Sequence, residues 1–249
     1  MRSSVLLGRL VCLAAVAVLQ GGALASRPAQ AEPVKGLTEL FRADGRWTAA
    51  TCGDLDGSGD LRVLAARMSP PGAEVVVYDL QGTVVSRWPV GDGVIIWSVG
   101  LLQADEDKEI EVLTFGVGEP PSDVLTIHKG DGTLVRRRTL EHGTPPVIAD
   151  VDGDGKSDIL RIGFRRQNRL QLLRADLTVS WEIDAPELVP TFAVCERPEF
   201  GAGDLDGDGR AEIVVQSLDP CLVVLDASGT CCVSPLSGRI LVLGDTQAS

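Results

Sequence analysis

Histidine is nearly missing from this chain of 249 residues: only His128 and His142 occur, and neither lies in a His-Glu-x-x-His pattern. Gly-x-Ser-x-Gly is missing as well, so neither a zinc-hydrolase nor a serine-hydrolase signature is present. A lone histidine in a turn is expected to be solvated surface, and both are read that way. Asparagine occurs once, as Asn168, outside any N-x-S/T pattern, which removes N-glycosylation acceptors. Aromatic residues make up 4%, and 23 Lys and Arg face 35 Asp and Glu, giving a formal charge of −12. With no basic stripe and few aromatics, nucleic acid and anionic membrane are poor partners. Beyond the N-terminal segment 1–25 no stretch keeps a helical hydrophobic period. None is an apolar run of the ~20 residues that a membrane helix needs, so no membrane insertion is expected.

The segment 1–25 does carry an apolar run. Arg2 and Arg9 give a basic start, residues 10–19 are apolar, and Ala23-Leu24-Ala25 offers a small-residue cleavage site. This reads as a secretory signal, with cleavage as late as Ala31 after Ala29-Gln30-Ala31. The protein is therefore expected to be secreted, extracellular or periplasmic and cell-surface. Losing Arg2 and Arg9 takes the charge from −12 to −14. Cys12 lacks the context of a lipid anchor. Cys52, Cys195, Cys221, Cys231 and Cys232 remain, an odd set for an exported chain. Cys221 with Cys231 or Cys232 is the preferred disulfide, and buried reduced thiols are the alternative.

What the chain has in plenty is an acidic loop that comes back. Asp150-Val151-Asp152-Gly153-Asp154-Gly155-Lys156-Ser157-Asp158 returns as Asp204-Leu205-Asp206-Gly207-Asp208-Gly209-Arg210-Ala211-Glu212. Asp54-Leu55-Asp56-Gly57-Ser58-Gly59 is an earlier copy, with Arg62 at the ninth position. Between them Gln103-Ala104-Asp105-Glu106-Asp107-Lys108-Glu109-Ile110-Glu111 keeps the outline with parts exchanged. A motif recurring about every 50 residues signals a repeat architecture.

Carboxylates at positions 1, 3, 5 and 9, with glycine at 6 for the sharp turn, converge hard oxygen donors on one point. The candidate ligands are Asp150, Asp152, Asp154 and Asp158 with the Lys156 carbonyl, then Asp204, Asp206, Asp208 and Glu212 with the Arg210 carbonyl. Ligand number favours Ca²⁺ over Mg²⁺. Two carboxylates about 4 Å apart repel by roughly 4 kcal/mol at an effective dielectric of 20, so an empty loop should splay. Two Ca²⁺ sites are expected, with a third left open at Asp54, Asp56 and Ser58, because Arg62 stands where a carboxylate is wanted. The loop from Gln103 is expected to be empty. An EF-hand would need a bidentate Glu at position 12 and a following helix. Position 12 is Ala65, Arg161 or Val215, inside β-branched runs that read as strands.

Those runs complete a unit of four strands. Strands are predicted into each loop (47–53, 94–102, 146–149, 192–203) and out of it (63–66, 111–115, 159–164, 213–216). Hairpin arms follow at 74–78, 124–128, 169–174 and 221–225, with turns at Gln81-Gly82-Thr83, Asp131-Gly132-Thr133, Asp176-Leu177-Thr178 and Ser228-Gly229-Thr230. Four strands per unit around an axis make an all-β β-propeller of about four four-stranded blades, or a partial propeller. The layout is a signal at 1–25, a lead-in at 26–36 and a propeller domain at 37–249, with repeats near 47–93, 94–143, 144–190 and 191–237. Two pieces fall outside whole blades: 37–43 resembles a last strand, and 238–245 a further first strand. Trp88 and Trp181 fall in outer strands, Trp47 and Trp97 near the axis, and packing between blades is the expected fate of each.

In this blade context the loops resemble the VCBS and FG-GAP repeats, the latter known from the propellers of integrin α subunits. The carrying residues are 53–59, 149–159 and 203–215. The resemblance implies a calcium-binding propeller whose ligands are the aspartates above, with Asp54, Asp56 and Ser58 a partial match. No Gly-Ala-Pro follows any loop, which points to the VCBS-like branch and away from integrin-type recognition. The reading is therefore an exported calcium-binding module of adhesion type. It would act as a binding or scaffold protein for a protein or glycan ligand, with structural metals and no catalytic or cofactor-binding residues assigned. The alternatives are a carbohydrate-active enzyme, lyase or glycosidase, built on a propeller, and an accessory fragment of a larger adhesin.

Overall fold

The computed structural model describes residues 40–118, 122–164, 168–184, 200–216 and 222–230. The signal segment, the segment 238–245 and every cysteine except Cys52 lie outside them, as does most of the stretch 192–203. Fifteen strands are present and no helix among the described residues. β1 (Trp47–Asp54), β2 (Leu61–Ser69), β3 (Gly72–Tyr78) and β4 (Val84–Asp92) form the first sheet in sequence order. β5 (Ile95–Leu102), β6 (Glu111–Val117), β7 (Ser122–His128) and β8 (Leu134–Glu141) form the second. β9 (Val147–Ala149), β10 (Asp158–Phe164), β11 (Asn168–Leu173) and β12 (Val179–Asp184) form the third. β13 (Phe200–Gly203), β14 (Glu212–Gln216) and β15 (Leu222–Leu225) are the described part of the fourth. Every neighbouring pair is antiparallel, so each sheet is a meander whose first and second strands flank an acidic loop.

The hairpin turns form where turn chemistry predicts them. Gly82, Gly132 and Gly229 take φ of +82°, +92° and +78°, and the N–H of Asp79, Lys129 and Asp226 reaches the carbonyl four residues on. The third turn has Leu177 at that position, with φ +67°, a conformation that costs a side-chain-bearing residue energy. Burial offsets it: Leu177 is 3% exposed, and the Arg138 guanidinium of the preceding sheet donates to its carbonyl.

The sheets stack as propeller blades, and the core lies in the seams between them rather than inside any one sheet. The first seam joins Leu64, Ala66, Val75 and Val77 to Val94, Ile96 and Val99. The second joins Leu102, Leu113, Phe115, Leu125 and Ile127 to Ile159, Leu173 and Leu177. The third joins Val151, Leu160, Ile162, Leu170 and Leu172 to Ile213, Val215 and Leu225. Within β10, Ile159 therefore faces backward and Leu160 and Ile162 forward. Both faces are buried, which is why β10 reads as an apolar run broken by Arg161.

Aromatic side chains close the outer edges. Trp88 covers Gly132 of the next blade, and Trp181 covers Gly229 while its Nε1–H donates to Ala227 O at 2.9 Å. Both tryptophans pack between blades, as expected. Phe41, from the segment 37–43 that resembles a last strand, covers Gly82 of the first blade in the same manner. Trp47 instead packs within the first blade, edge-on to Tyr78, and Trp97 is 55% exposed, contrary to the packing role expected of it. The described blades thus form an all-β arc of a propeller.

Candidate metal loops

The four loops sit at one end of the arc and are tied in series. Ile110 N donates to Leu55 O at 2.8 Å, Ser157 N to Gln103 O at 2.8 Å, and Ala211 N to Val151 O at 3.3 Å. Each bond links one blade's loop to the next, so loop conformation and blade packing are coupled.

In the third loop Asp150 is the hub. Its carboxylate accepts from Gly153 N at 2.8 Å and Gly155 N at 2.9 Å, made possible by φ of +77° and +85° at those glycines. Asp158, at the start of β10, accepts from Val151 N at 3.2 Å. The fourth loop repeats this: Asp204 accepts from Gly207 N and Gly209 N, and Glu212 from Leu205 N at 2.8 Å. In both loops the carboxylates of positions 1, 3 and 9 converge. One oxygen each from Asp150, Asp152 and Asp158 lie within 4.8 Å of one another, and so do oxygens of Asp204, Asp206 and Glu212.

The position-5 carboxylates fall outside those trios. Asp154 and Asp208 accept, at 2.8 Å, from the N–H of Lys156 and Arg210, the residues whose carbonyls were expected to ligate, just as Asp152 and Asp206 accept from Asp154 N and Asp208 N. The Lys156 side chain points to Glu106 of the second loop, at 3.6 Å.

The electrostatics of the third loop favour a cation. Burial, reinforced by the charges of Asp152, Asp154 and Asp150, raises the Asp158 carboxyl to about 6. A buried acid among like charges is a site where a divalent ion would relieve the repulsion. All donors are hard oxygens, which suits Ca²⁺ chemically.

The other two loops differ. In the first, Asp54 accepts from Asp56 N and Gly59 N, and hydrogen bonds from Ser58 hold Asp56 below the usual carboxylate range. Asp54, Asp56 and Ser58 thus share one loop, but no trio of acidic ligands converges there among the described residues. In the second loop Asp105, Asp107 and Glu111 do converge, a set drawn from positions 3, 5 and 9. Gln103 holds the hub position, with its amide Nε2 donating to Asp105 O and Asp107 O, each at 2.8 Å. Lys129 reaches Glu109 at 3.0 Å. This loop, expected to be empty, gathers three carboxylates, while its Gln103 amide serves backbone carbonyls.

One polar cluster escaped the sequence reading. Arg161 and Asp123, both fully buried, pair at 3.3 Å across the seam between the second and third blades, at the opposite end of the strands from the loops. Asp123 also accepts from Gly143 N at 2.7 Å and pairs with His142 Nδ1 at 3.0 Å, while Arg161 reaches Gln171 Oε1 and Glu141 O. Burial pushes the Asp123 carboxyl up, and the His142 and Arg161 partners pull it back. The available signal was a charge inside an apolar run (Ile159-Leu160-Arg161-Ile162), which needs a buried partner. His142 keeps an exposed edge. His128 is a correction: it is 3% exposed, packed on Trp88, and burial lowers its pKa to about 4.

Comparisons with known proteins agree with this architecture. Residues 150–215, which hold the third and fourth loops, match the model of the FG-GAP-like repeat. No curated protein matches the chain in sequence. Among solved structures, BBS1N in complex with ARL6DN, soaked with lead, is similar at a TM-score of 0.50 and 12% identity. That match covers 86% of this chain and 58% of BBS1N, so the chain spans little over half of that relative. A protein of unknown function from Bacteroides caccae matches at a TM-score of 0.37 and 12% identity, over 64% of this chain and 52% of its own. The resemblance to FG-GAP repeats rests on residues 150–215, and the β-propeller class on the sheet arrangement and the likeness to BBS1N.

Proposed function

We propose that the chain is an exported, calcium-stabilised β-propeller module that binds or scaffolds a protein or glycan partner, with structural rather than catalytic metals. The observation that carries the calcium is the twofold convergence of Asp150, Asp152 and Asp158, and of Asp204, Asp206 and Glu212, in the segment that matches an FG-GAP-like repeat. When bound, Ca²⁺ would offset most of the charge of each trio, with Asp150 and Asp204 fixing the loop backbone through their glycine N–H bonds. Ligands drawn from a single loop would hold the ion within one blade, which suits a structural site.

A binding role rather than catalysis is supported by the cavity of about 340 Å³ along the inner strands. Among the described residues it is lined by apolar and small polar side chains such as Thr51, Ser98, Leu101, Phe115 and Ile148. A glycosidase needs two carboxylates facing each other across the substrate. Export rests on the signal-like segment 1–25.

Calorimetric titration of the chelated chain with Ca²⁺ tests the metal, with two bound ions expected; zero would remove the assignment. A glycan and matrix-protein binding screen, with and without EGTA and alongside turnover assays on the same glycans, tests the role. Saturable binding without turnover is expected, and turnover lost on replacing one carboxylate would give the chain an enzyme's role instead.

A further inference from the structure

The acidic loops are joined through one peptide group that recurs. Counting each hub as position 1, the inter-blade donors Ile110, Ser157 and Ala211 all stand at position 8. That position lies between the expected carbonyl ligand at 7 and the carboxylate at 9. A trans peptide is planar, and no cis bond other than Pro70-Pro71 occurs among the described residues. The Ser157 N–H and the Lys156 carbonyl therefore point in opposite directions along one rigid unit. Holding that N–H on the Gln103 carbonyl turns the Lys156 carbonyl away from the second loop. Each loop thus sets the direction of a backbone ligand in the loop that follows it.

The joints are unequal. Ser157 is clasped twice: its N–H donates to Gln103 O at 2.8 Å, and its Oγ accepts from Gln103 N at 2.9 Å. Gln103 follows directly on β5, whose last residue Leu102 pairs with Glu111 of β6, so its backbone is held by the sheet. The fourth loop has alanine in place of that serine and one bond, 3.3 Å from Ala211 N to Val151 O. Val151 lies two residues past the end of β9, between the ligands Asp150 and Asp152, and its own N–H donates to Asp158 at 3.2 Å. The two loops also touch, since a Cβ on Gly153 would lie 2.9 Å from Gly209 O. The acceptor that steers the fourth loop therefore belongs to a residue enclosed by the acidic trio of the third.

We propose that the third and fourth loops take up Ca²⁺ as a coupled pair: the third loop, positioned by Ser157 on the second, is the stronger site, and filling it strengthens the fourth. The inference rests on the calcium reading above. Drawing Asp150, Asp152 and Asp158 together fixes Val151 among them, so Ala211 meets an acceptor already in place. The fourth loop then has less freedom left to lose, which is positive coupling. Two divalent ions in adjacent loops repel, so the sign of the coupling separates this relay from plain electrostatics.

Calorimetric Ca²⁺ titration of the chelated full-length chain and of single-loop variants tests it. Asp204→Ala leaves the third loop and Asp150→Ala the fourth, and the ion kept by Asp204→Ala should be the tighter one. The two-ion binding constant of the unaltered chain should exceed the product of those single-ion constants by about 5–10-fold. Ser157→Ala should weaken the third-loop ion several-fold with the number of ions unchanged, and Ser157→Thr, which keeps the hydroxyl, should restore it. A two-ion constant equal to the product, or below it, overturns the relay and leaves the calcium reading standing. So does a Ser157→Ala variant that binds like the unaltered chain. A third ion lost on Asp105→Ala overturns the relay too, because the second loop would then need an ion of its own. No bound ion at all would remove the calcium reading and the relay with it.

Discussion

The second and third loops start from the same outline and reach opposite electrostatic solutions. In the third, the hub Asp150 is an acceptor at the loop centre, taking N–H bonds from glycines at positive φ. In the second, the hub Gln103 is a donor, and its amide reaches the backbone carbonyls of Asp105 and Asp107. The glycine positions are held by Glu106 and Lys108, neither at positive φ. Lys129 and Lys156 bring positive charge to Glu109 and Glu106 from neighbouring turns. Both loops bring three acidic oxygens together, but the second sets a side-chain donor at its hub and the third a carboxylate. The hub changes from carboxylate to amide and both glycines are replaced, so the second loop carries a side-chain donor at its centre that the third lacks.

Chelation should break this contrast most visibly. If the third and fourth loops each hold Ca²⁺ at 100 times its dissociation constant, each contributes about 2.7 kcal/mol. Removing both should lower Tm by about 10–20 °C, read by calorimetry with and without EGTA. Equal melting curves would put the third loop in the same class as the second. Next in size, Asp150→Ala should remove one bound ion from the titration and about half of that Tm difference. Gln103→Ala should leave the number of bound ions unchanged.

The chelated chain should also respond to pH. The folded-state carboxyl of Asp158 lies near 6, above its ordinary 3.8, so the folded chain holds a proton that the unfolded chain releases. The penalty is full above pH 6 and is relieved as pH falls toward 4, by about 3 kcal/mol at most. Chemical denaturation in EGTA should thus show more stability at pH 5 than at pH 7, and saturating Ca²⁺ should reverse that slope because protons compete with the ion. The smallest effect sharpens the other side. Gln103→Ala removes two donors from the second loop and should cost about 1–2 kcal/mol in urea unfolding, by the same amount with or without EGTA. A cost that appears only with calcium present would mean that Gln103 supports an ion.

Much of this was legible in the residues. Each hairpin turn forms at its Asp or Gly, and β10 and β14 follow the loops as the Ile-Leu-Arg-Ile and Ile-Val-Val runs predict, because turn φ and strand sterics are local properties. Less legible was which loop oxygens meet. Asp154 and Asp208 have the spacing of ligands, yet the oxygens that converge are those of positions 1, 3 and 9. His128 looked like turn surface because its neighbours Lys129 and Gly130 are polar. Its burial comes from Trp88, distant along the chain and in another blade. Asp123 and Arg161 were invisible as a pair for the same reason.

The sequence by itself determined the repeat, the four-stranded meander and the acidic corners, since each is written within one repeat unit and governed by short-range sterics and charge. Tertiary structure alone decided which side chains cross a seam. Leu101 fits Gly53, Trp88 fits Gly132 and Arg161 meets Asp123 only once separate blades stack, and the close packing that selects such partners acts between surfaces that no single repeat contains.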